Sequence, residues 1–162
     1  MKPLAILLAA ILLAAAGVPA AEAADNPPGI AFVQAEEGTW WCRDANLGKA
    51  VACALRKCSG EAGGQECHPT RWCMPAGWSG LMVGWLPEFH STLVLCGLPG
   101  QASVAAALKA VCDTAPEFSR CDFVLVIDPE GTEQRISDTT WPGPSTDGGE
   151  AAPEAPSPQQ AQ

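Results

Sequence analysis

Six of the eight cysteines in this 162-residue chain follow one spacing rule. Cys42, Cys58 and Cys67 have fifteen and then eight residues between them, and Cys96, Cys112 and Cys121 repeat this 54 positions later. Cysteine in such numbers serves disulfide bonding, metal ligation or thiol redox. Zinc sites usually bring two cysteines within two to four residues, and no such pair occurs. Cys53 and Cys58 come nearest, but on a helix they would point about 140° apart. There is no C-x-x-C, so neither a thioredoxin-like site nor a c-type haem attachment is indicated. Disulfides remain.

Nucleophilic catalysis finds little support. A nucleophile elbow needs Gly-x-Ser-x-Gly, and "GWSGL" (Gly77 to Leu81) ends on Leu81 instead. Ser79, His90 and Asp128 could be drawn as a triad, and His68, His90 and Glu88 as metal ligands. With only two histidines in the chain, both groupings compete with plain surface-loop histidines. Cys67 beside His68 could form a thiolate pair, but a disulfide at Cys67 is the simpler reading. No catalytic, cofactor or metal residue is therefore assigned.

Contact chemistry is better supplied. The chain has six tryptophans and no tyrosine. Adjacent strand residues face opposite sides, so Trp40 and Trp41 cannot both be core. Trp41 and Trp85 are the candidate binding side chains, able to stack on a sugar ring or pack against a partner protein.

The elements that must position these residues occupy the middle of the chain. Met1-Lys2, the apolar run Leu4 to Ala16, and Ala21-Glu22-Ala23 have the form of a signal peptide over residues 1–23. The apolar run is too short for a stable bilayer span, so no membrane span is expected after cleavage. Residues 24–28 form a linker, 29–141 a single domain, and 142–162 a disordered Pro/Gln/acidic tail unable to bury apolar surface. An export signal followed by an even number of cysteines favours an oxidising compartment. Removing Lys2 and Glu22 leaves the net charge of the whole chain, −9, unchanged. That charge argues against nucleic acid and anionic lipid as partners.

Within the domain, one unit is written twice, over about residues 29–74 and 79–128. "GIAFVQ" and the Trp40-Trp41-Cys42 strand precede a helix capped by Asn46, with Val51, Leu55 and Cys58 on one face. "GLMVGW" and "STLVLC" precede a second helix with Val104, Leu108 and Val111 on its face, and "DFVLVID" follows Cys121 as a strand. "VACAL" and "VAAAL" align at a shift of 53, offsetting the helices by one residue against the cysteines. The expected fold is α+β: a duplicated strand-strand-helix-strand unit giving about six antiparallel or mixed strands. Two helices would lie on one face of that disulfide-stapled sheet. Each helix end would be stapled to the next strand, as Cys58–Cys67 and Cys112–Cys121. Cys42 and Cys96 could pair across a pseudo-twofold axis, and Cys53 and Cys73, which both lack a counterpart in the second copy, with each other; eight cysteines allow 105 connectivities, and sequence alone does not choose among them.

"CALRKCSGEAGGQEC", "AALKAVCDTAPEFSRC" and the intervening "WSGLMVG" resemble the small exported bacterial proteins of domain-of-unknown-function family 4189. The resemblance spans about Gly29 to Asp128. It implies export and a compact α+β domain, and it carries no established activity.

Together these features describe a small non-enzymatic binding domain, periplasmic or secreted from a bacterium, whose partner is an envelope or extracellular protein. A glycan- or peptidoglycan-binding module using exposed tryptophan is the alternative, and a hydrolase with an unrecognised site a third.

Overall fold

The computed structural model describes residues 27–36 and 38–144. The expected signal peptide (residues 1–23) and the part of the expected tail beyond residue 144 lie outside the described residues. Seven strands and two helices follow in the order β1 (Gly29–Ala35), β2 (Gly38–Asp44), α1 (Leu47–Glu61), β3 (His68–Cys73), β4 (Trp78–Trp85), β5 (His90–Leu98), α2 (Gln101–Thr114), β6 (Arg120–Ile127) and β7 (Glu133–Pro142). The strand-strand-helix-strand unit is thus present twice. All pairings are antiparallel, in two sheets ordered β2-β1-β3 and β5-β4-β6-β7. Each half places its first strand centrally, between its second and third.

The strands expected in one sheet divide because β1 is apolar on both faces. Ile30, Ala31, Phe32 and Val33 are all essentially buried, which requires a covering layer on each side. Val33 packs with Ala54 and Cys58 of α1. Ile30 and Phe32 point the other way, against Val94, Ile127, Leu81 and Leu125 of the second sheet. That sheet is covered on its far side by Val104, Leu108 and Cys112 of α2. The layers therefore run α1, sheet, sheet, α2, with the helices on the two outer faces rather than sharing one.

Local sequence explains both helices. The Asn46 side chain caps α1 by accepting from Lys49 N at 3.2 Å. α2 starts after Gly100 and stops before Ala115-Pro116. The buried face of α1 is Ala50, Ala54 and Cys58, whereas periodicity had favoured Val51 and Leu55. In α2 it is Val104, Leu108 and Cys112, with Cys112 where Val111 was expected. These two sets are related by the 54-residue shift of the cysteines, so the 53-residue helix alignment is corrected.

All eight cysteines are paired. Cys58–Cys67 and Cys112–Cys121 form as expected. The other two expected pairs do not; the bridges are Cys42–Cys53 and Cys73–Cys96. The reason is which way each strand residue faces. Cys42 lies on the α1 side of its sheet, in the cluster containing Ala54 and Cys58, and Cys53 packs there too. Cys96 belongs to the layer between the sheets, beside Ile30 and Val94. Equal spacing put Cys42 and Cys96 at matching strand positions, but their side chains occupy different layers. Cys73–Cys96 joins the two halves, next to the bond from Gly97 N to Ala76 O at 2.9 Å.

Strand β7 was not anticipated as an element. It pairs with β6 from Arg120↔Pro142 to Ile127↔Glu133, with an irregularity opposite Phe123/Leu125. Trp141 stacks on Phe123 with ring centroids 5.7 Å apart. The domain therefore extends to Pro142.

Candidate functional site

The two sheets do not cover each other completely. Beyond the tip of the β1–β2 hairpin, β4, β5 and β6 continue and leave a cleft of about 630 Å3. Its floor is apolar: Leu81 and Val83 from β4, Val124 and Leu125 from β6. Alternation brings Leu81 and Val83 to the inner face of the sheet, and the bulge opposite Leu81/Met82 turns the adjacent Val124 and Leu125 to that same face, where the shorter β1–β2 hairpin fails to cap them. Around this floor stand Gln34, Glu36, Thr39, His90, Thr92 and Arg135.

Trp41 forms one wall. Trp40 and Trp41 do face opposite ways: Trp40 Nε1 donates to Glu61 of α1 at 2.7 Å, and Trp41 Nε1 reaches Glu133 of β7. Lys57 Nζ lies 5.5 Å from the centre of the Trp41 ring and donates to Trp41 O at 3.2 Å. A Cβ on Gly131 would lie 3.5 Å from the Trp41 indole. The ring is thereby held between α1 and the β6–β7 turn, a fixed wall rather than a swinging one. The turn itself is set by Asp128, whose Oδ1 accepts from Thr132 N at 2.7 Å. That main-chain hydrogen bond holds the Asp128 carboxyl below its ordinary value.

Trp85 lies two residues along β4 from Val83, hence on the same face of the sheet. Its Nε1 donates to Asp122 Oδ2 at 2.6 Å, and Asp122 Oδ1 accepts from Thr140 at 2.9 Å. The Arg120 guanidinium packs 4.5 Å from the ring centre, a cation–π contact. His90, which lines the cleft, has its ring 5.5 Å from Trp85. Trp41 and Trp85 thus mark two limits of one surface. Both are half-buried with their N–H groups committed to carboxylates. The most exposed tryptophan is Trp72, at 55 %.

The residues of the possible triad are not brought together. Ser79 pairs with Ile127, directly before Asp128, whereas His90 pairs with Trp85 at the other end of β4. Five strand residues lie between Ser79 and Trp85, which spaces the two by roughly 20 Å. Ser79 is also fully buried, and its Oγ has no hydrogen-bond partner. His68 is an exposed residue of β3, 3.7 Å from Glu66, and its neighbour Cys67 is held in a disulfide. Among the described residues no three His, Cys, Asp or Glu side chains cluster as a metal site would require.

An orphan hydroxyl in an apolar layer is a stability cost with a simple remedy. Ser79→Ala should raise the free energy of unfolding by up to about 1 kcal/mol, read from urea denaturation at constant slope. A loss of stability instead would show that the hydroxyl makes a bond worth keeping.

Sequence reasoning missed the cleft itself, and with it Gln34, Glu133 and Arg135. The missed signal was the run Thr139-Thr140-Trp141, whose β-branched and aromatic residues mark a further strand. Comparisons with protein families, characterised proteins and solved structures return no match.

Proposed function

We propose that this is an exported binding domain, periplasmic or secreted from a bacterium, that holds a segment of an envelope or extracellular protein in the cleft between its sheets. The cleft carries this reading: an apolar floor ringed by a few polar groups, in the size range of ligand sites. Four disulfides leave no cysteine free, which fits an oxidising compartment. Among the described residues no helix is long and apolar enough to cross a membrane. The paired Ala-rich helix and cysteine units keep the resemblance to family 4189 as part of the proposal. A glycan ligand is the second reading, favoured by Trp41 in the cleft wall and by the polar rim.

The test uses purified mature protein screened against a phage-displayed peptide library and a glycan array. Peptides should be enriched, and Val83→Lys, which charges the cleft floor, should weaken the selected peptide tenfold or more. Its melting temperature should stay close to the parent's. Glycan capture lost in Val83→Lys, without any peptide, would replace the first reading by the second. Peptide binding indifferent to Val83→Lys would remove the cleft from the proposal.

A further inference from the structure

We propose that the ligand of the cleft is an extended peptide that adds a strand to the free edge of β5, at His90, Thr92 and Val94. This rests on the cleft being the peptide-binding site proposed above. The argument begins at the hairpin end, where Leu86 N donates to Phe89 O at 2.9 Å. With that bond marking Leu86↔Phe89 as a hydrogen-bonded position, alternation along the antiparallel ladder makes Trp85↔His90, Val83↔Thr92 and Leu81↔Val94 the non-hydrogen-bonded pairs. The main-chain N–H and C=O groups of His90, Thr92 and Val94 therefore point away from β4, toward β3. Thr92 O confirms that direction, because it accepts from Gln34 Nε2 at 3.2 Å.

Strand β3 does not pair with this edge. β5 is terminal in its sheet, and the main-chain bond crossing between the halves, Gly97 N to Ala76 O, lies at the disulfide end. Val94 is only 6 % exposed, yet its outward main-chain groups meet no strand. Beside Val94 is a second space of about 280 Å3, lined among others by Thr70, Arg71, Leu93 and Leu95. Gln34 and Thr92 line both this slot and the main cleft. The Gln34 amide thus occupies the place that a neighbouring strand's N–H would take, and it separates the two spaces.

The slot also states what it would hold. Edge strands are commonly guarded by proline, lysine or a bulge. His90–Leu95 contains neither residue, and the irregularity in its pairing is confined to the Trp78/Gly80 end. A second copy of the domain is a poor fit, because β3 is tied close by, with Cys73 and Cys96 Cα atoms 5.8 Å apart. A single strand entering from the cleft is the occupant that reaches the edge, displacing Gln34 from Thr92. Arg71 faces the slot and has no acidic partner among the described residues. The matching segment alternates apolar side chains and carries a carboxylate opposite Arg71, the pattern of strand addition.

The probe is the tightest peptide from the phage library, synthesised with one N-methyl group at each position in turn. N-methylation at alternate residues should weaken binding tenfold or more, and the bound peptide should slow hydrogen exchange of the Thr92 and Val94 amides at least tenfold. Thr92→Pro should weaken binding similarly while preserving the fold, since that N–H is not used in the β4 ladder. If that variant does not fold, the peptide series and the exchange data decide alone, because both leave the protein unaltered. A peptide that is lost on Val83→Lys, tolerates N-methylation everywhere and leaves exchange unchanged would overturn strand addition while retaining the cleft. Failure to select any peptide would overturn both.

Discussion

Replacing Cys73 and Cys96 together by alanine should lower the free energy of unfolding by about 3 kcal/mol on the chain-entropy account of disulfides. This bridge closes a sequence separation of 23, against 11 for Cys42–Cys53 and 9 for each of the other two. It is also the one that ties the first half of the molecule to the second. The other three lie within a half, each joining a helix to a strand or to the segment leading into it, and their loss should leave the packing of sheet on sheet intact. Alanine at both positions avoids an unpaired thiol. The specific readout is hydrogen exchange at Gly97, whose amide bonds to Ala76 O beside the bridge. It should accelerate, while the Ala62 amide, bonded to Cys58 O at the end of α1, should keep its exchange relative to global stability. A cost below about 1 kcal/mol with unchanged Gly97 exchange would show that the apolar layer between the sheets holds the halves unaided.

The bridge that joins the halves is also where reading the sequence stopped short. Spacing revealed the repeat, both helices and the two helix-to-strand bridges, because those depend on local order along the chain. The remaining cysteines depended on layers. Cys42 and Cys96 are equivalent by count, yet one faces α1 and the other the space between the sheets, and periodicity alone does not say which. The buried run of β1 held a clue, since four consecutive buried residues from Ile30 to Val33 cannot be served by a helix on one side only. The cleft was less legible still. Trp41 and Trp85 were singled out by residue type, but the floor at Val83 and Val124 exists because β4 and β6 outrun the β1–β2 hairpin. That is a difference in length between paired halves, visible only when the halves are superposed in space. Ser79 and His90 were joined in a possible triad by residue type alone, and the extended strand between them places them far apart.

Helix and sheet approach closely by different means in the two halves, and this sets the last expectation. In the first half the helix supplies the small residues, with Ala50 and Ala54 fully buried against β1. The 54-residue shift puts Val104 and Leu108 at those positions in α2, so there the strand must yield the space. It does so at Gly80, where a Cβ would lie 2.2 Å from Val104 Cγ1 and 3.3 Å from Leu108 Cδ1. Val104 is fully buried and β-branched, with essentially one rotamer open to it on a helix, so it cannot swing away. Gly80→Ala should therefore destabilise by about 1–3 kcal/mol through overpacking, although alanine suits a strand better than glycine. Val104→Ala alone should cost about 2 kcal/mol, as removal of a buried branched side chain. The two changes together should cost clearly less than their sum, because the methyl added at Gly80 fills the space vacated at Val104. Gly60, where a Cβ would meet nothing within 4 Å, provides the contrast: Gly60→Ala on α1 should stabilise by up to about 1 kcal/mol. Strict additivity between Gly80→Ala and Val104→Ala would mean that α2 retreats from the sheet as a body, and that the exchange of small and large residues between the halves does not fix the helix–sheet distance.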